Sequence, residues 1–120
     1  MLILLSLFTG LSFAETSTPL PNAELTIEKT ITELRIGIQP KEHTHLNLDA
    51  PLKLELTGIQ AKKSGPYSKS DFDAKKSAFT IPLPGQPTAR LDGSFKITYS
   101  ICSDDNKSCR RIVETRALTN

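Results

Sequence analysis

The sequence predicts an all-β protein in which two sheets pack face to face. Apolar residues alternate with polar ones along most of the chain, which is the period-two pattern of strands that bury one face. Prolines and glycines separate the alternating segments, as expected of turns. No window carries the sustained stripe of apolar residues that would indicate an amphipathic helix.

Strands are predicted wherever this alternation persists. In chain order the alternating segments are 25–29, 34–38, 52–56, 79–83, 95–101 and 112–118. About seven short strands in roughly 100 residues indicate an immunoglobulin-like β-sandwich, here with a cysteine-bearing hairpin at its C-terminal end. The prediction rests on strand number and pattern, because the chain has no Trp and its two cysteines are only seven positions apart.

The beginning of the chain predicts export. Residues 1–14 (MLILLSLFTGLSFA) form an uncharged apolar run that ends in the small-residue pattern of a signal-peptide cleavage site. The run is shorter than the roughly 20 apolar residues of a membrane-spanning helix, so we expect no membrane span after cleavage. Residues 15–23 are polar and contain proline, which predicts a flexible leader before a single domain over 24–120. We expect a periplasmic protein of a Gram-negative bacterium.

Composition excludes several classes of function. A net charge of +2, from 15 Lys and Arg against 13 Asp and Glu, is too small for a nucleic-acid binder that relies on electrostatics. Two cysteines cannot form a multi-bridge scaffold or a four-thiolate zinc site. No Ser-His-Asp arrangement, Gly-rich phosphate loop or carboxylate pair at catalytic spacing is visible. We therefore expect a monomeric domain without a cofactor.

The two histidines raise the question of a metal. His43 and His45 lie two positions apart, and on a strand their imidazoles would share one face, a spacing that suits a metal ion. Two ligands fall short of the usual count, so we predict no metal site. The preferred interpretation is a turn in which His45 and Asn47 bond the local backbone.

The most informative segment is the hairpin over 93–118, which contains both cysteines. An alternating strand leads into Cys102, a polar turn over 103–108 follows, and Cys109 opens the next strand. The hairpin places the two thiols on neighbouring strands near the turn, where they are close enough for a disulfide. In an exported protein that bond should form.

Charge is distributed unequally around the two cysteines. Cations at positions 107, 110 and 111 favour a thiolate at Cys109, whereas carboxylates at positions 104 and 105 oppose ionisation of Cys102. The pattern predicts that Cys109 is the better nucleophile. Two interpretations of the bond stay open here: a structural staple, worth about 2.5 kcal/mol for a loop of this size, or a redox-active pair.

The hairpin segment FKITYSICSDDNKSCRRIVETRAL resembles the end of the amino-terminal periplasmic domain of the thiol:disulfide interchange protein DsbD family. The upstream segment IGIQPKEHTHLNLDAPLKLEL is similar to a family pattern in which Pro and a polar turn precede His-x-Asn and a second Pro, here Pro40, His45, Asn47 and Pro51. The segments YSKSDF and AFTIPL are similar to the family's loop and return strand. The resemblance covers about residues 36–118, and the cysteine hairpin is its most specific part.

The resemblance implies an immunoglobulin-like sandwich with a redox-active pair, in which Cys109 forms the mixed disulfide with a thioredoxin-like periplasmic redox protein and Cys102 completes the pair. It also implies a cap loop that covers the pair with an aromatic side chain, Tyr67 or Phe72, of which Tyr67 is the better match. Two features depart from the family: six residues separate the cysteines, one more than in the best-known member, and two arginines replace the Pro that usually follows the second cysteine. The alternative is a non-catalytic binding or structural module whose disulfide is a staple.

Overall fold

The computed structural model of the chain describes residues 20–63, 65–86 and 92–118. Over these ranges the strands are β1 (Glu24–Lys29), β2 (Glu33–Gln39), β3 (Thr44–Leu46), β4 (Lys53–Thr57), β5 (Tyr67–Ser68), β6 (Phe72–Asp73), β7 (Ala78–Pro82), β8 (Gly93–Ser103) and β9 (Cys109–Leu118). A short 3-10 helix, Lys69–Asp71, joins β5 to β6. Within the same ranges no helix is long and apolar enough to cross a membrane. The predicted signal peptide and residues 15–19 of the predicted leader lie outside the described residues.

The prediction of an all-β protein with two sheets is confirmed. Each of the six predicted strands is present, and β9 begins at Cys109, as the hairpin pattern indicated. Three strands were not predicted, namely β3, β5 and β6, because strands of two or three residues are too short to show an alternating pattern. The immunoglobulin-like assignment of this sandwich stays a prediction.

The second sheet is built around β8. The first sheet has the order β1-β2-β7-β6, and all its pairs are antiparallel. In the second sheet β8 pairs with β9 along one side, while β3 and β4 follow one another along its other side and β5 pairs with β4. The β8–β9 hairpin is paired without interruption from Gly93–Leu118 to Cys102–Cys109.

The alternation of β8 separates the core from the outer surface of the second sheet. Its apolar residues are fully buried between the sheets: Phe95, Ile97, Tyr99 and Ile101. The residues between them point to the outer face of the sheet, since successive strand side chains point in opposite directions: Lys96, Thr98, Ser100 and Cys102. Cys102 therefore belongs to the outer face of the sheet and not to the core.

Two polar side chains attach the chain before β1 to the second sheet. The Tyr99 hydroxyl accepts a hydrogen bond from the Ala23 amide and donates one to the Glu114 carboxylate, both at 3.1 Å. The Arg110 guanidinium donates to the Leu20 carbonyl (2.6 Å) and to the Asn22 side chain (2.7 Å). These contacts hold residues 20–23, which lie within the predicted leader, against β8 and β9.

Replacing Tyr99 with Phe should lower the free energy of unfolding by about 1–3 kcal/mol, because the buried Ala23 amide loses its acceptor. Burial, reinforced by the Glu114 charge, raises the pKa of Tyr99 from 10.0 to about 12. The stability that this raised pKa reflects is complete below pH 10.0 and is lost as pH rises toward about 12. The loss occurs because Tyr99 in the unfolded chain releases its proton at a lower pH than in the folded protein. Urea denaturation at neutral and at alkaline pH measures both effects. An equal alkaline loss in the Phe variant would contradict this assignment.

Candidate functional site

The predicted disulfide between Cys102 and Cys109 is present. The two residues lie directly opposite each other, at the end of β8 and the start of β9. Their sulfur atoms are 2.11 Å apart and their Cα atoms 4.0 Å apart. The short Cα separation is that of a non-hydrogen-bonded antiparallel pair, the arrangement in which opposing side chains come closest. The hairpin register therefore brings the two thiols together without any loop rearrangement.

The two cysteines differ sharply in exposure. Cys102 lies on the central strand and is only 2% exposed, whereas Cys109 opens β9 and is exposed. A nucleophile that approaches from solvent therefore meets Cys109 before it meets Cys102. Thiol–disulfide exchange depends on which sulfur is attacked and on access to it. In an exchange reaction this difference would favour attack at Cys109, with Cys102 as the leaving group.

The turn between the cysteines has its own hydrogen bonds. The Ser103 amide donates to the Ser108 carbonyl and the Asn106 amide donates to the Ser103 carbonyl, both at 2.8 Å. The Asp105 carboxylate accepts from the Ser103 hydroxyl (2.6 Å) and from the Lys107 amide (3.0 Å), and these two bonds lower the pKa of Asp105. The turn is therefore closed by hydrogen bonds as well as by the disulfide.

The cations near Cys109 do not all face it. Arg111 follows Cys109 by two positions on β9, so both side chains lie on the outer face of the sheet. Arg110 points the other way and binds the Leu20 carbonyl at 2.6 Å. Of the two arginines that follow Cys109 in the sequence, Arg111 is therefore the one that lies on the same face of β9 and can stabilise a thiolate there.

The two histidines occupy different settings. His43 lies in a turn with a positive φ of 66°, and its Nδ1 is 3.7 Å from the Asp104 carboxylate. His45 lies on β3 and not in a turn, so the two imidazoles do not share the face of one strand. Asn47 does bond the local backbone, since its side-chain oxygen accepts from the Asp49 amide at 3.0 Å. No group of three or more His, Cys, Asp or Glu suited to a metal occurs among residues 20–63, 65–86 and 92–118.

His45 is a neighbour of the disulfide that the sequence did not reveal. The register pairs His45 with Cys102, which in turn pairs with Cys109. Directly opposed side chains lie on the same face with Cβ atoms about 4.5–5.5 Å apart. The half-buried imidazole, the buried sulfur and the exposed sulfur therefore form one row across three strands of the sheet. We name these three residues the β3–β8–β9 row.

Tyr67, the preferred cap residue, lies in the core. It is 1% exposed, its hydroxyl donates to the Lys63 carbonyl, and the Lys63 ammonium is 4.8 Å from the centre of its ring. Tyr67 pairs with Leu54, which pairs with Ile97, five residues before Cys102 on β8. Strand spacings therefore place Tyr67 and Cys102 roughly 19 Å apart. The structure does not bring Tyr67 to the cysteines.

Phe72, the second cap candidate, also packs inward. It lies on β6 at the edge of the first sheet, and its ring meets that of the buried Phe79 edge-on at 5.1 Å between centroids. The disulfide lies on the outer face of the second sheet. Neither Tyr67 nor Phe72, both of which are described residues, therefore supplies the aromatic cap that the resemblance implies.

A groove of about 890 Å³ opens beside β4 and β5, lined by residues 48–53 and 66–70. Both segments are described in full, and the lining contains no Cys or His. Its ionisable side chains are those of Asp49, Lys53, Tyr67 and Lys69, and they include no pair suited to proton or electron transfer.

Comparison with known proteins gives no relative on which to base an assignment. No protein family matches the chain, and no curated protein is significantly similar to it.

Replacing both cysteines with alanine should leave the sandwich folded and lower the free energy of unfolding by about 2.5 kcal/mol or less. Neither cysteine belongs to the hydrophobic core cluster, and the turn that the bond closes has its own hydrogen bonds. Circular dichroism and urea denaturation of the double variant measure this, with phosphine-reduced wild type as the matched control. Loss of β-structure in both samples would show that the bond is needed for folding.

Proposed function

We propose that the protein is a periplasmic thiol:disulfide exchange module that transfers electrons through the Cys102–Cys109 pair. The observation that carries the proposal is the unequal exposure of the two cysteines, since Cys109 is exposed and Cys102 is buried. The resemblance of the hairpin to the amino-terminal domain of the DsbD family supports the same function. The partner is a thioredoxin-like periplasmic redox protein that offers a reactive dithiol.

The exchange proceeds in two steps. A partner thiolate attacks the sulfur of Cys109 and forms a mixed disulfide, while the Cys102–Cys109 bond breaks and its electron pair stays on the sulfur of Cys102. A second partner thiolate then attacks the partner's sulfur in the mixed disulfide, and Cys109 leaves as a thiolate. Two electrons pass to the pair and the partner becomes a disulfide. The reverse sequence delivers the same electrons to an oxidised acceptor.

The position of the bond supports a function beyond stability. A loop of this size gains about 2.5 kcal/mol from closure, less than a longer loop would gain. The core residues of β8 lie on the opposite face from Cys102, so opening the bond leaves the packing between the sheets unchanged. Val113 is 51% exposed and lies four positions after Cys109, on the same face of β9, where an apolar partner surface can contact it.

The compartment belongs to the same proposal. A disulfide persists in oxidising compartments and is rare in the reducing cytosol. The closed Cys102–Cys109 bond is compatible with an exported protein. We assign the periplasm because the apolar segment over 1–14 has the pattern of a signal peptide.

A structural module with a stapled hairpin is the second candidate. The observation that favours it is the 2% exposure of Cys102, because buried cysteines in stable folds are commonly inert. In this case the disulfide would only stabilise the end of the hairpin, and the outer face would serve a binding function. The reactivity and the reduction potential of the pair separate the two candidates.

The single-cysteine variants should react at different rates with an aromatic disulfide reagent. In Cys102→Ala the remaining Cys109 thiol is exposed, whereas in Cys109→Ala the remaining Cys102 thiol is buried. We expect Cys102→Ala to react at least about tenfold faster at neutral pH, because reactivity follows access and thiolate character. Absorbance of the released thiolate gives both rates, and the rates should converge after denaturation. Equal rates in the folded proteins would contradict the roles assigned to the two sulfurs.

The reduction potential of the pair should fall in the range of exchange proteins, from about −270 to about −120 mV. Equilibration with glutathione or dithiothreitol buffers, followed by alkylation of free thiols, measures it. A potential below about −300 mV would identify a structural bond and favour the stapled module. The Cys102→Ala variant, mixed with the oxidised form of a thioredoxin-like protein, should also form a mixed disulfide, because the Cys109 thiolate attacks the partner's disulfide and the partner's second sulfur leaves as a thiolate.

A further inference from the structure

We propose that His45 exchanges a proton with the Cys102 thiol when the Cys102–Cys109 bond opens and closes. This inference rests on the exchange function proposed above and adds a proton donor and acceptor to it. The supporting observation is the β3–β8–β9 row, in which the imidazole is paired with the buried sulfur.

The position of His45 is fixed by backbone hydrogen bonds on both sides of it. After His45, the Asn47 amide donates to the Ser100 carbonyl at 2.8 Å. Before it, the Asp104 amide donates to the His43 carbonyl at 3.1 Å. These bonds hold β3 in one register on β8, and a slip by a single residue would turn the imidazole to the other face of the sheet.

The burial of Cys102 creates the need for a proton donor. When the bond opens, the electron pair stays on a sulfur that belongs to a residue only 2% exposed. Burial disfavours a charged thiolate, and water has little access from which to neutralise it. An imidazole is suited to this task because it changes charge between pH 5 and pH 8. His45 supplies one in the position directly opposite Cys102.

The proton and the electrons balance in both directions. As a thiolate attacks Cys109 and the old sulfur–sulfur bond breaks, the imidazolium of His45 gives its proton to the sulfur of Cys102 and becomes neutral. In the reverse direction the neutral imidazole takes that proton. The Cys102 thiolate then attacks the Cys109 sulfur of the mixed disulfide and releases the partner thiolate, so no further oxidant or reductant is required.

Other charged groups lie on the segments that adjoin β3 and β8, but the register does not pair them with Cys102. The turn before β3 carries His43, which is 3.7 Å from the Asp104 carboxylate of the β8–β9 turn, and both of these side chains are exposed. Asp49 follows β3 in the next loop, and β9 presents Arg111, whose charge is permanent. The matched variant His43→Gln separates the influence of the neighbouring pair His43 and Asp104 on the pH profile of disulfide reduction from that of His45.

The test is the rate at which dithiothreitol reduces the disulfide between about pH 5.5 and pH 8.5, in wild type, His45→Gln and His43→Gln. Dividing the wild-type rate by each variant rate cancels the ionisation of the reductant. We expect His45→Gln to be slower by about tenfold near pH 6, a modest effect for general acid catalysis. The difference should shrink to less than about twofold near pH 8.5, where an imidazole is neutral. His43→Gln should stay within about twofold throughout.

The possible outcomes distinguish failure of this inference alone from failure of the exchange function. If wild type is reduced readily but His45→Gln shows no pH-dependent loss, or only the loss seen in His43→Gln, the proton exchange is refuted while the exchange function stands. If wild type resists reduction until it unfolds, the exchange function and this inference both fail. His45→Asn serves as a second variant, checked by circular dichroism, and a folded His45→Asn protein should reproduce the loss of His45→Gln.

Discussion

Strand β8 pairs with β9 over ten consecutive residue pairs and with β3 and β4 on its other side. The remaining structure depends on this register, because neighbouring side chains of a strand point to opposite faces. A slip of one residue would turn Phe95, Ile97, Tyr99 and Ile101 out of the core and separate Cys102 from Cys109. Burial of four large side chains, at about 1.5–3 kcal/mol each, opposes such a slip more strongly than the disulfide does.

The same alternation keeps the core and the candidate site apart. Core residues of β8 and Cys102 occupy opposite faces of one strand, so the disulfide lies outside the hydrophobic core cluster. Tyr99 and Arg110 add contacts at the edge of the sandwich, where they hold residues 20–23 against the second sheet.

Two separate properties distinguish Cys109 from Cys102. The first is charge, because Arg111 follows Cys109 by two positions on β9, whereas Asp104 and Asp105 follow Cys102. The second is access, because Cys109 is exposed whereas Cys102 lies behind it at 2% exposure. Charge was visible in the sequence, but the contribution of Arg110 was overestimated there, since its guanidinium binds Leu20 and Asn22 and does not face the thiol. Access depends on strand order, which places Cys102 on a central strand and Cys109 on its neighbour.

The sequence by itself determined the features that arise from local pattern. Period-two alternation predicted the six longer strands, and the spacing around the polar turn predicted the Cys102–Cys109 bond, because hairpin partners are close along the chain. Tertiary structure alone decided which distant segments meet: β3 lies beside the end of β8 and brings His45 to Cys102, while Tyr67 enters the core away from the disulfide. Strands of two or three residues are too short for an alternating pattern to be recognised in the sequence. Their pairing depends on long-range packing, which a local sequence pattern does not contain.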